Sequence, residues 1–304
     1  MRICLVGTLV DDVIYPLQGP KIRAYGGIYH TLITLSVLFS EKDIIIPVTY
    51  VGKDHWDRII QFVNQQKNIS VDGLVRSEKK TNQSILRYFS SSERTEISKY
   101  PFPALKYEHI EPFLDCDLLA INMISGWDID LNIFREIRRR YKGEIYIDLH
   151  SYLTQLDKNG QRFHRRPGDI DQWLYLADII QMNKKEFTIL NTDQLDIADF
   201  CLKYCISERK LINLTLGSSG SISVLAMQGK TESCSKETIQ NLHATDPTGC
   251  GDAFMAGFIY GYVTHKSIHD ALDLANCVAS VYCEFPGAPD IKEFYNGVKE
   301  RCLI

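Results

Sequence analysis

The stretch 245–263, TDPTGCGDAFMAGFIYGYV, constrains the fold more than any other part of the chain. Asp246-Pro247-Thr248-Gly249 reads as a tight turn, and a buried apolar helix follows it. Ala253, Gly257 and Gly261 recur at every fourth position, so they share one face along which another element can approach the helix backbone. The N–H groups at a helix start lack intrahelical partners and, with the helix dipole, make an anion site. Gly249, Cys250 and Gly251 present such groups with little side-chain bulk in front of them. Asp252 stands beside them. A carboxylate there can take a proton from an attacking hydroxyl while the amides hold a departing phosphoryl group. It can equally do no more than complement the helix dipole.

The rest of the chain repeats a β-α-β rhythm. Apolar strand-like runs at 2–9, 43–52, 118–124, 144–149, 178–182 and 211–216 are separated by helical stretches, which predicts a mostly parallel sheet. Trp56, Ile59, Ile60 and Val63 form a helical stripe that reads as core. At 304 residues the chain is long enough for one α/β domain over its full length. A net charge of −4 gives no reason to expect nucleic acid or an anionic membrane as partner. No apolar run approaches the length of a membrane span, and MRICLVGTLVDD meets Asp11 and Asp12 too early for a signal peptide. Nine cysteines, odd in number and without paired spacing, predict reduced thiols and a cytoplasmic location. Cys201 and Cys205 lie four apart without the histidine or second pair a metal site needs.

Polar residues gather where strands end, which is where open α/β sheets bind ligands. Asp11 and Asp12 follow the first strand; Asp11 reads as a solvent-facing turn residue, whereas a carboxylate at 12 can accept hydrogen bonds from sugar hydroxyls. Gly26-Gly27 precede a helix and either form a turn or let a ligand approach the backbone. Residues 13–24 read as an exposed β excursion and 81–98 as a β-hairpin turning at Ser90-Ser91-Ser92. His150 ends another strand and reads first as a structural histidine, while 157–168 reads as a polar loop whose Arg165 or Arg166 can approach phosphate. Asn183 and Glu186 are spaced either for a helix cap or for water-mediated Mg²⁺ and phosphate contacts at one helix entry. Thr215, Gly217 and Gly220 form a glycine loop after a strand.

Taken in order, these motifs resemble those of the ribokinase-like (PfkB) sugar and nucleoside kinases, from Gly7 to Gly287. TDPTGCGDAFMAG resembles the family's DTTGAGDxFxxG signature, with Cys250 in place of alanine. GG at 26–27, VGKD at 51–54, NKKE at 183–186 and TLGSSG at 215–220 follow the family order. No GxxxxGK[ST] loop and no GxGxxG after the first strand compete with this reading. The resemblance implies a doubly wound α/β fold, with helices on both faces of a mostly parallel sheet and a small β lid from about 13–25 and 81–100. It implies ATP-dependent phosphoryl transfer to a sugar or nucleoside hydroxymethyl group. Asp252 would be the general base and the amides of Gly249, Cys250 and Gly251 the anion hole. ATP would lie along Asn183, Thr215, Gly217, Gly220 and Asn276, with Mg²⁺ held through water by Glu186. The acceptor would meet Asp12, Gly26, Gly27 and Thr31, where Thr31 replaces the usual asparagine. Asp246, Thr248 and Gly287 are candidates for a K⁺ site. Tyr29, Tyr88 and Phe89 would be available to stack on a base if the acceptor were a nucleoside. An exposed lid edge could pair two chains into a homodimer, and a catalytically inactive binding protein is the alternative from outside the enzymes.

Overall fold

The computed structural model describes residues 1–89, 94–206, 208–238, 245–265 and 267–302. Its main sheet has nine strands in the order β15-β14-β13-β12-β9-β8-β1-β4-β5. The parallel part comprises β1 (Arg2–Gly7), β4 (Ile44–Gly52), β5 (Leu74–Ser77), β8 (Leu118–Asn122), β9 (Glu144–Asp148), β12 (Ile179–Asn183) and β13 (Arg209–Thr215). Two antiparallel strands, β14 (Ser221–Met227) and β15 (Lys230–Lys236), extend one edge.

The inner strands are apolar at almost every position: Ile3, Cys4, Leu5 and Val6 of β1 are all fully buried. Strands with both faces covered need such runs rather than an alternation. One face carries α1 (Ile28–Leu38), α2 (Trp56–Gln65), α8 (Cys250–His265), α9 (Ile268–Tyr282) and α10 (Ile291–Arg301). The other carries α3 (Tyr107–Ile110), α4 (Leu131–Arg140), α5 (Ile170–Leu176), α6 (Lys184–Leu190) and α7 (Ile197–Tyr204). This is the doubly wound arrangement the sequence predicts. The small-residue face of α8 packs on α9 as its spacing requires: a Cβ added at Gly257 would lie 2.9 Å from the Ala275 Cα.

A second sheet, in the order β3-β2-β6-β7, forms the lid. It consists of β2 (Leu9–Tyr15), β3 (Ile22–Gly27), β6 (Gln83–Tyr88) and β7 (Arg94–Lys99). The predicted turn at 90–92 lies outside the described residues. Several details differ from the sequence reading. Asp11 is not in a solvent-facing turn but in β2, 3% exposed, because Arg23 and Gln83 donate hydrogen bonds to its carboxylate. Segment 157–168 is not a plain loop: β10 (Thr154–Leu156) pairs with β11 (Arg162–His164), and Gln161 bridges to Ile97 on the lid. Near the C-terminus α9 is followed by α10. Disulfides join Cys250 to Cys283 and Cys277 to Cys302, where reduced thiols were expected. The partners are 33 and 25 residues apart, so no local spacing announces them; the packing of α8, α9 and α10 does.

Candidate active site

The parallel strands end in a row of polar residues. Register sets Gly7 beside Asn122, Asn122 beside Asp148, and Asn183 beside Thr215. The lid stands over this edge, and between them lies a cavity of about 80 Å³. Asp12 and Gly27 line it from the lid side and Asp252 from the start of α8, so the structure brings these predicted residues together. A Cβ at Gly26 would sit 1.8 Å from the Asp12 Oδ2, so only glycine lets that carboxylate lie against β3. Thr31 does not line the cavity. It is fully buried beneath Asp252, with its hydroxyl 3.3 Å from Oδ1, because α1 turns that face towards α8.

Sequence reasoning missed much of the wall. Asn82 and Ser84 at the start of β6, Glu96 on β7 and Arg162 on β11 all line the cavity, and so does His150. The polar hairpin therefore delivers an arginine, but not one of those expected: Arg166 is paired with Asp171. Arg162 donates to Glu96 Oε1 at 2.8 Å and to Thr154 Oγ1 and the Ser125 carbonyl at 3.0 Å. Its charge is thus already matched. Among the described residues, the buried Asn82 Oδ1 and Ser84 Oγ have no hydrogen-bond partner. Leaving such groups unmet costs about 1–3 kcal/mol each, a cost that a hydroxylated ligand would offset. No motif marks these positions: Asn82 and Ser84 belong to the polar run TNQS at 81–84, and Glu96 and Arg162 stand among other polar residues.

Asp252 is the chemical centre. Burial pushes its carboxyl up to about 6, against the opposing pull of hydrogen bonds from Asn122 and Thr31. Asn122 Nδ2 lies 2.6 Å from Asp252 Oδ1. The turn before Asp252 takes the expected shape, with Gly249 at φ 81°. Cys250 N donates a long 3.3 Å bond to the Pro247 carbonyl. No acceptor for the N–H groups of Gly249 and Gly251 occurs among the described residues. Gln181 holds the Gly251 carbonyl at 2.9 Å and Asp148 Oδ2 at 2.8 Å, tying the helix start to β12 and β9.

On the far side of Asp252, Asn183 and Glu186 close a reciprocal cap on α6. Glu186 N donates to Asn183 Oδ1, and Asn183 N and Nδ2 donate to the Glu186 carboxylate. Burial pushes Glu186 up to about 7. Asp148 is raised as well, by burial first and then by Glu186 and Asp252. Asp148, Glu186 and Asp252 are thus close enough for Asp148 to feel the other two, but among the described residues no group of three or more His, Cys, Asp or Glu is placed to hold a metal ion together. Thr215 ends β13, and the space beside Gly217 is open. Gly220 and Asn276 do not face that space. A Cβ at Gly220 would sit 1.9 Å from the Lys236 carbonyl, and Asn276 Nδ2 donates to Ser221 Oγ and the Leu272 carbonyl, stitching α9 to β14.

Asp246, Thr248 and Gly287 do converge, yet their contacts are with one another. The N–H groups of Thr248 and Gly287 donate to the two oxygens of Asp246, and Tyr88 of the lid lies 2.9 Å from Thr248 Oγ1. Of the aromatic residues considered for base stacking, Tyr29 packs on Tyr25 and Phe62, Tyr88 is held at Thr248, and Phe89 is 65% exposed.

Comparison with known proteins identifies the family and the fold. The family model described as pfkB family carbohydrate kinase matches residues 47–292. An uncharacterized sugar kinase of Archaeoglobus fulgidus is 33% identical over 253 residues, covering 80% of this chain and 94% of that protein. The fold is similar to a pyrophosphate-dependent kinase of the ribokinase family, with a TM-score of 0.74 at 19% identity over 96% of this chain and 98% of that one. It is also similar to ribokinase from Thermotoga maritima, at 0.72 and 18% identity over 98% and 99%, and to a Methanocaldococcus jannaschii nucleoside kinase, at 0.71 and 18% over 99% and 98%. Among the described residues no helix is long and apolar enough to cross a membrane. With a family match across most of its length and a relative 33% identical over four fifths of it, the chain belongs to the pfkB family of carbohydrate kinases and is a phosphotransferase with the ribokinase fold.

Proposed function

We propose that the protein transfers the γ-phosphoryl group of ATP to a hydroxymethyl group of a small neutral sugar or related polyol. The observation that carries this reading is the position of Asp252, which faces the lid cavity and begins the helix whose first amides are open. Asp252 would take the hydroxyl proton while the N–H groups of Gly249 and Gly251, joined by Cys250, stabilise the moving phosphoryl oxygens. The donor phosphates would run from there past Asn183 towards Thr215 and Gly217. Bound Mg²⁺ would offset phosphate charge, and Glu186 would orient its water shell.

The charge of the cavity favours a neutral acceptor. Asp12 and Glu96 outnumber the one arginine there, which is already paired. An acceptor carrying a carboxylate or phosphate would therefore meet repulsion. Asp12, Asn82 and Ser84 instead suit hydroxyl groups.

The test is product release from ATP-Mg²⁺ over D-ribose, D-fructose, a sugar acid and adenosine, with and without K⁺. Pyrophosphate serves as a second donor, since one of the similar structures is a pyrophosphate-dependent kinase. Turnover with a neutral sugar, reduced about 10²–10⁴-fold in Asp252→Asn, is the expected result. Near-normal rates in that variant would remove the base assignment. Binding of ATP and sugar with no product would favour a non-catalytic relative, and turnover confined to adenosine would move the acceptor to the nucleosides.

A further inference from the structure

The carboxylate of Asp252 is held from below by two side chains on different elements. Asn122, the last residue of β8, is fully buried and donates from Nδ2 to Asp252 Oδ1 at 2.6 Å and to Thr31 Oγ1 at 3.1 Å. Thr31 in turn donates to the same Oδ1 at 3.3 Å. The amide orientation follows from this contact, because a flipped amide would set its oxygen against a carboxylate oxygen. Among the described residues no side chain donates to Asp252 Oδ2. The two oxygens are therefore unequal: one is anchored, and the other is left for the cavity.

We propose that Asn122 is a positioning residue that, with Thr31, anchors Oδ1 of Asp252 and so reserves Oδ2 for the acceptor hydroxyl. This role rests on the reading of Asp252 as the base. It also explains why a threonine serves at 31: its short hydroxyl completes the anchor beneath the carboxylate instead of reaching the acceptor. Asn122 accepts a cost for the task, since among the described residues its Oδ1 is buried without a partner. A residue kept only for packing would have no reason to bear it.

The anchor has a second consequence. Asp148 at the end of β9 and Tyr282 on α9 oppose the charge of Asp252, and Asp12, His30 and His150 also line the cavity it faces. Hydrogen bonds to the ionised form are what keep a buried carboxylate usable as a base at neutral pH. Removing the Asn122 amide should raise the pH at which Asp252 becomes deprotonated.

The experiment pairs two readouts. The first is a thermal-unfolding cycle of wild type, Asn122→Leu, Asp252→Asn and the double variant at pH 8 and pH 4.5. Asn122→Leu should lower Tm more in the wild-type background than in the Asp252→Asn background at pH 8. That difference should shrink at pH 4.5, where the carboxyl is protonated. The second is the pH profile of turnover with ATP-Mg²⁺ and D-ribose or D-fructose. The acid limb should move up by about one pH unit, a loss of about fivefold at pH 6 that approaches about 10-fold below pH 5, with the acceptor KM within about twofold. Thr31→Val, which keeps the shape, should move the limb the same way but less.

No coupling in the cycle, or an unmoved acid limb beside a uniform rate loss, would overturn the anchor. An acceptor KM raised tenfold at unchanged kcat would do the same, by making Asn122 a substrate contact. If Asp252→Asn still turns over, the base reading fails, while the unfolding cycle still decides the anchor on its own.

Discussion

Asp252 is held in conditions that suit proton transfer and oppose folding. Its carboxyl titrates near 6 in the folded protein because burial outweighs the hydrogen bonds from Asn122 and Thr31. In the unfolded chain it titrates near the ordinary 3.8. Between these values the folded state binds a proton that the unfolded state lacks, so this residue's contribution to stability falls as pH rises through the window. Above it the charged carboxylate costs on the order of 1–3 kcal/mol. Asp252→Asn removes that cost while keeping an oxygen to accept from Asn122. The inactive variant should thus melt a few degrees higher than wild type at pH 8, with the gap closing towards pH 4. An equal gap at both pH values would mean that the extra stability does not come from the charge. Glu186 and Asp148, also raised by burial, push the pH dependence in the same direction.

At the scale of elements, α8 links the core to the site. Its glycines let it lie on α9, and its first turn holds the open amides. A Cβ at Gly261 would sit 2.7 Å from the Ala271 Cα, which is backbone and cannot rotate away. Gly261→Ala should therefore lower stability by about 1–3 kcal/mol, despite alanine's better helix propensity, as read by denaturant unfolding. A neutral or stabilising result would mean that α9 shifts freely. This helix, its turn and the inner strands were legible from the sequence because each is a continuous local pattern. Motif order added Asp12, Gly27 and Asp252. The lid was less legible because two carboxylates interrupt its buried apolar run: Asp11 and Asp12 lie between Val10 and Val13 in β2, held by Arg23, Gln83 and the bare backbone of Gly26. Asn122, Glu96 and Arg162 had no local pattern at all. Arg162 on β11 meets Glu96 on β7, 66 residues away, and Asn122 at the end of β8 meets Asp252, 130 residues away, so only the tertiary fold pairs them. Asn276 and Gly220 match the motif and also join elements that the motif does not mention, α9 to β14 and the Gly220 turn to β15.

At the scale of the whole molecule, the C-terminal helices, the catalytic turn and the lid are tied into one chain of contacts. Cys250, the first residue of α8, is bonded to Cys283 just after α9. The Cys283 carbonyl also accepts from the N–H groups of Thr245 and Asp246. From Asp246 the contacts pass to Gly287 and Thr248, and from Thr248 to Tyr88 on the lid. The Cys250–Cys283 bond closes a loop of 33 residues, for which chain entropy suggests about 2–4 kcal/mol of stabilisation. Cys283→Ser should lose that amount, and wild type treated with a dithiol reductant should lose at least as much. Because Cys250 lies between the two open amides, the variant should also lose kcat more than acceptor affinity. The bonding itself can be counted. Unfolded without reductant, wild type should expose the five thiols of Cys4, Cys116, Cys201, Cys205 and Cys234. Cys283→Ser should expose one more, from Cys250. Nine reactive thiols in the unfolded wild type would mean that α8 and α9 are held together by packing alone, and the predicted sensitivity to reductant would vanish with the bond.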